Sequence, residues 1–151
     1  MRELADQGDA VAQFNLGAMY RKGEGVPQDY AAAVEWYRKA ADQGNVAAQH
    51  NLGNLYHFGN GVAQDYSAAL RWYRKAADQG DADAQFSLGS MYDNGRGVTQ
   101  DYVQAHMWYN LAAARSDKMA KESRDILAKQ MTPSQIAEAQ KRATEWKPKG
   151  K

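Results

Sequence analysis

DQGDAVAQFNLGAMYRKGEGVPQDYAAAVEWYRKAA, residues 6–41, is written twice more along the chain, from Asp42 to Ala77 and from Asp78 to Ala113. Gly8, Gly44 and Gly80 mark one interval of about 36 residues, and a period of that size without a collagen or heptad pattern means stacked structural units. Function in such a chain is expected on a repeated surface, not at a single reactive centre.

Within each copy the signals describe two helices. Asp9, Asn45 and Asp81 are N-cap residues for a first helix that Gly23, Gly59 and Gly95 end in a left-handed C-cap. After a short loop, Gly-Glu-Gly-Val-Pro-Gln in the first copy, Asp29, Asp65 and Asp101 cap a second helix that runs towards Gly44 and Gly80. At about 100° per residue, Gln13, Leu16, Gly17 and Tyr20 fall on one side of the first helix and recur unchanged in the other two copies, so that side is the core seam. A glycine in mid-helix costs about 1 kcal/mol relative to alanine, and close approach of the paired helix is what offsets it at Gly17, Gly53 and Gly89. Tyr30, Ala33, Trp36, Tyr37, Ala40 and Ala41 form the apolar stripe of the second helix.

The spacing Leu16-Gly17-x2-Tyr20, then Ala33-x3-Tyr37-x2-Ala40, resembles the tetratricopeptide signature, with a longer loop holding Gly23-x-Gly25-Val26 and a period near 36 instead of 34. The recurring A-x-A-Q-x2-L-G-x2-Y, G-x-G-V-x2-D-Y and A-x2-W-Y-x2-A-A elements look like the Sel-one-like repeat (SLR) branch of that superfamily. The resemblance covers about Leu4 to Ala113, with a fainter continuation to Trp146. It implies an all-α fold, an α/α superhelical solenoid of antiparallel helix pairs, and a family of adaptors and scaffolds, bacterial ones among them, that bring other proteins together.

The expected organisation is a single solenoid over residues 1–146: a partial helix at 1–8, repeats at 6–41, 42–77 and 78–113, and an atypical C-terminal capping helix pair at 114–146. A basic tail, expected to be disordered, follows at 147–151. Leu4-Ala5-Asp6-Gln7-Gly8 matches the end of a second helix, so the chain reads as starting inside a unit, with more repeats or a leader upstream and cytoplasm or bacterial periplasm both open. In the cap, Ala114-Arg115-Ser116 replaces Asp-Gln-Gly, and a helix is expected from about Asp117 to Lys129. Thr132-Pro133-Ser134-Gln135 is a capping box that starts a last helix with Ile136, Ala139, Ala143 and Trp146 on one face. Met107 and Leu111, in place of Arg71 and Lys75, fit extra burial under this cap.

Opposite the seam, the first helices carry residues that change between copies: Val11, Phe14, Ala18, Arg21 and Lys22; Ala47, His50, Asn54, His57 and Phe58; Asp83, Phe86, Ser90, Asp93 and Asn94. In tetratricopeptide-like arrays this side lines the concave face. Phe14, His50 and Phe86 would form an aromatic ladder, with positive charge in the first copy and negative in the third. The expected ligand is a protein or peptide whose acidic part meets Arg21 and Lys22 and whose basic part meets Asp83 and Asp93. Local packing of the aromatics beside solvated charges is the plainer alternative.

Nineteen basic against eighteen acidic residues leave a net charge of +1, which carries no footprint for nucleic acid. No apolar run approaches the roughly 20 residues that a spanning helix needs, so membrane insertion is not expected. Zero cysteines exclude disulfides and thiolate metal sites. The Gly-x-Gly loops follow helices and lack a lysine-serine pair, which makes them turns and not phosphate cradles. His50 and His57 lie about 10.5 Å apart along one helix, too far to share a metal. His106 stands where Val34 and Leu70 do and reads as a partly buried side chain, not a general base. No catalytic residue, cofactor or metal is therefore expected. Some cysteine-rich secreted relatives bind or hydrolyse β-lactams, but their cysteine pattern is absent here. Self-assembly through exposed terminal helices is the remaining alternative to a scaffold.

Overall fold

The computed structural model describes residues 1–115 and 117–149, and every regular element among them is an α-helix. These are α1 (Arg2–Asp6), α2 (Ala10–Lys22), α3 (Tyr30–Asp42), α4 (Val46–Phe58), α5 (Tyr66–Asp78), α6 (Ala82–Asn94), α7 (Tyr102–Ala113), α8 (Lys118–Ala128) and α9 (Pro133–Glu145). The pairs α2–α3, α4–α5 and α6–α7 follow the period of the sequence.

The starts and stops are local chemistry. Carboxylate or amide oxygens of Asp9, Asn45 and Asp81 accept from the backbone N–H three residues on, at 2.8, 2.8 and 2.9 Å. Asp29, Asp65 and Asp101 do the same for the second helices at 3.1, 3.0 and 3.1 Å. Each such bond satisfies a donor that the helix itself leaves open. Gly23, Gly59 and Gly95 adopt the left-handed conformation that closes α2, α4 and α6. Two glutamine positions complete the turns. Gln28, Gln64 and Gln100 each donate to a carbonyl in the last turn of the first helix, all at 2.8 Å. The buried Gln13, Gln49 and Gln85 reach back to the Ala5, Ala41 and Ala77 carbonyls.

The chain divides into two compact units, Met1–Trp72 and Tyr73–Lys151. In the first, α2 packs on α1 and α3, and α3 packs on α4. Ala33, Tyr37, Ala40 and Ala41 of α3 meet Ala48, Leu52 and Leu55 of α4, while Trp36 joins Ala5, Ala12 and Leu16. A Cβ at Gly17 would lie 2.8 Å from the Tyr37 ring, which is the close approach that the mid-helix glycine permits. Two residues depart from the expected pattern: Tyr20 is only half-buried, and Tyr30, assigned to the apolar stripe, is exposed. Tyr30 is the first residue of α3, and its counterparts Tyr66 and Tyr102 at the starts of α5 and α7 are half-buried.

In the second unit α7 is packed by α6, α8 and α9. Contacts on several sides explain why the whole run from Ala105 to Tyr109 is buried. Met107 is buried as its apolar substitution implies, and Leu111 is half-buried. Thr132 and Gln135 form the reciprocal capping box at 3.1 and 2.9 Å with Pro133 in the first turn, and Ala139 is fully buried. Trp146 sets its ring edge-on to Trp108 at 6.2 Å. Of the tail, Lys149 donates its backbone N–H to the Asp78 carbonyl at 2.7 Å and its ammonium lies 3.4 Å from the Asp78 carboxylate. Ser116, Gly150 and Lys151, which belong to the cap and tail expectations, lie outside the described residues.

Candidate functional site

The variable face of the first helices is divided between packing and solvent. In the first unit Val11, Lys22, Ala47 and Phe58 are exposed, whereas Phe14, Ala18, Arg21, His50, Asn54 and His57 are half-buried. In the second unit Asp83 and Asn94 are exposed, and Phe86, Ser90 and Asp93 are half-buried. The phenylalanines owe this to neighbouring tyrosines: Phe14 lies 5.7 Å from Tyr37 and Phe86 lies 5.6 Å from Tyr109, both tilted by 38°.

The charged positions are tied to the same tyrosines. Arg21 donates its Nε–H to the Tyr37 hydroxyl at 3.1 Å, and the Tyr109 hydroxyl donates to the Asp93 carboxylate at 3.1 Å. A phenol both gives and accepts a hydrogen bond, so one buried tyrosine position tolerates a cation in one repeat and a carboxylate in another. Burial raises the Tyr37 pKa, opposed by the hydrogen bond and charge of Arg21. Burial raises that of Tyr109 too, and there Asp93 adds to the effect. Both phenols stay protonated, and neither supplies a phenolate base or nucleophile near neutral pH.

Three of the variable residues converge. Arg21 from the end of α2 and Asn54 and Phe58 from α4 line a cleft of about 270 Å³ in the first unit, together with Tyr30, Asn51 and Asn60. Phe58 is 64% exposed, an unusual position for a large ring. Amides, a guanidinium and exposed rings in one cleft can hold peptide groups and a negatively charged side chain. Sequence reasoning places Arg21, Asn54 and Phe58 on the variable face and does not find Tyr30, Asn51 or Asn60 as wall residues. The exposure of Tyr30 is the missing fact, because a tyrosine after an N-cap looks the same whether it is buried or open.

His57 sits against Phe58 and Tyr66, with ring centres 4.6 and 5.2 Å away. His106 is more deeply buried than expected, at 3% exposure. Its pKa is lowered by burial first and by the charge of Arg124, with Asp125 pulling the other way. Among the described residues no group of three or more His, Asp or Glu side chains is placed to hold a metal ion, and no helix is long and apolar enough to cross a membrane.

Comparison with known proteins agrees with the repeated helix-pair fold. The Sel1 repeat is matched three times in succession, at residues 10–45, 46–81 and 82–117. No curated protein matches significantly. The fold is similar to the crystal structure of a protective antigen present in uropathogenic Escherichia coli strains that displays an SLR fold, with TM-score 0.78 and 50% identity over 79% of this chain; the match spans only 26% of that protein. It is also similar to the crystal structure of a Sel1 repeat protein from Oxalobacter formigenes, with TM-score 0.75 and 40% identity over 82% of this chain and 93% of that one. Repeats of this kind generally serve as protein-interaction scaffolds and are typically non-catalytic. With three consecutive repeats, their caps and their helix pairs in place, the chain belongs to the Sel1 repeat family.

Proposed function

We propose that the chain is a non-enzymatic protein-interaction scaffold that takes a peptide or a partner helix on the outward face of its first helices. The reading rests on one observation: the seam residues repeat while the outward residues vary, and three of the variable ones, Arg21, Asn54 and Phe58, share a cleft with exposed aromatic surface. A seam held constant serves packing, whereas an exposed ring held beside a guanidinium has a partner to gain. The acidic part of the ligand meets Arg21 and Lys22. Asp83 and Asp93 offer the opposite charge in the third repeat.

The test uses the full chain as bait, beside Phe58→Ala and the Phe58→Ala, Arg21→Ala double variant, each shown to be folded by circular dichroism. A protein captured by the intact chain and lost with both variants is the expected result. Equal capture by all three removes the cleft from the binding surface. Phe14 is a poor choice for this purpose, because its ring packs on the buried Tyr37 and its removal disturbs the fold as well as the face.

A second reading has its own support. Met119 and Ile126, two helical turns apart on α8, are 63% and 61% exposed. Separated on that face by Glu122 and Ser123, they offer two apolar contacts to a second copy of the chain. Sedimentation over a wide concentration range decides between the two, since a constant monomer mass rejects self-assembly.

A further inference from the structure

Arg74 occupies an unusual place in the second unit. Its guanidinium lies 5.9 Å from the centre of the Tyr92 ring and 5.7 Å from that of Trp108, and it donates to the Tyr92 hydroxyl. The side chain is half-buried, its Nε is buried without a hydrogen-bond partner, and no carboxylate pairs with it among the described residues. Arg38, one repeat earlier, stacks on Tyr56 in the same manner but is exposed. A guanidinium held between two rings has already lost its conformational freedom, and a partly desolvated cation without a counter-ion gains more from an incoming anion than an exposed one does.

The space in front of Arg74 is lined by both charged and apolar side chains. It opens into a cleft of about 370 Å³ in which the charged lining residues are Arg74, Arg142, Lys147 and Lys149 against Asp78 and Glu145. Asp78 is engaged by Lys149 and Arg142 by Glu138 of its own helix, which leaves Arg74 and Lys147 against Glu145, a net positive surface that suits a single carboxylate. Trp146, set edge-on to the buried Trp108, supplies the accessible apolar surface beside these charges. We propose that this cleft is a recognition site for a peptide segment that carries a glutamate or aspartate next to a large apolar side chain. The carboxylate meets Arg74 and Lys147, and the apolar side chain lies against Trp146.

The site shares no residue with the cleft at Phe58, and each can fail without the other. The full chain is titrated with acetyl-Trp-Glu-amide, and the indole N–H signals of Trp108 and Trp146 are followed by NMR. The expected result is a saturable shift of both signals, with affinity at least about tenfold weaker for acetyl-Trp-Gln-amide and for the Arg74→Gln variant. Lys147→Glu, at a position outside every helix, weakens binding in the same direction and carries the test if Arg74→Gln does not fold; Phe58→Ala leaves binding unchanged. The proposal is overturned by the absence of a saturable shift, by equal binding of the glutamine peptide, or by equal response to sodium acetate or inorganic phosphate at the same concentration. The last result would mark a simple anion site.

Discussion

Gly17 and Gly89 show how a single missing atom sets the distance between two helices. An alanine Cβ at either place would lie 2.8 Å from the ring of Tyr37 or Tyr109, and those rings are buried and anchored through their hydroxyls to Arg21 and Asp93. Alanine improves helix propensity by about 1 kcal/mol, whereas overpacking costs about 1–3 kcal/mol. Gly17→Ala and Gly89→Ala are therefore expected to be net destabilising in urea unfolding, and a gain in stability would show that the rings have room to move. Tyr37→Ala, which empties the same contact from the other side, is expected to lose about 3 kcal/mol or more.

His106 gives the residue scale its pH dependence. Its folded pKa is depressed, so the unfolded chain binds the proton more readily than the native one. The neutral form contributes its full stability above the ordinary histidine range. That contribution falls as the pH drops through the unfolded value near about 6.5 and stops falling below the depressed native value. His106→Leu, the residue that the second repeat carries at this place, removes this slope. Urea unfolding of both proteins across the mildly acidic range, with no difference in slope, would rule the assignment out.

At the scale of elements, the capping residues and glutamines act as repeated fasteners. Asp81→Ala removes the bond to the Ala84 N–H and is expected to cost about 1 kcal/mol, measured by chemical unfolding. Gln85→Ala is expected to cost more than an exposed glutamine would, because its amide is buried and serves the Ala77 carbonyl at the end of the preceding helix. By contrast, Met119→Lys with Ile126→Lys changes only exposed positions of α8. That double variant is expected to leave stability within about 0.5 kcal/mol of the parent. If these two residues form a contact between copies, the same variant lowers the mass at high concentration while leaving the unfolding midpoint of the monomer in place.

For the whole molecule, no covalent cross-link contributes to stability. The chain has no cysteine, so a reducing agent is expected to leave the thermal unfolding midpoint unchanged. The near-balanced net charge of +1 means that partner binding depends on where charges sit, not on their sum. Arg21 and Lys22 in one repeat and Asp83 and Asp93 in another carry opposite signs on equivalent faces. A partner held at either place loses affinity as salt rises, because exposed pairs are screened within about 8 Å at physiological ionic strength.

Period, helix starts, glycine ends and the packing seam were determined by the sequence itself. Caps join residues three apart and a helical face joins residues three or four apart, so each can be read from neighbours in the chain. Asp9 and Gly23 thus announced α2, and Thr132 announced α9. The role of Gln28, Gln64 and Gln100 was visible only as a recurrence, since the carbonyls they bind lie seven residues back across a loop. Tertiary structure alone decided that Tyr30 opens to a cleft, that Phe14 leans on Tyr37, that His106 is deeply buried and that Arg74 stands between two rings. The exposure and the counter-ions of a side chain depend on groups brought together from distant positions, and no periodicity records which of them arrive.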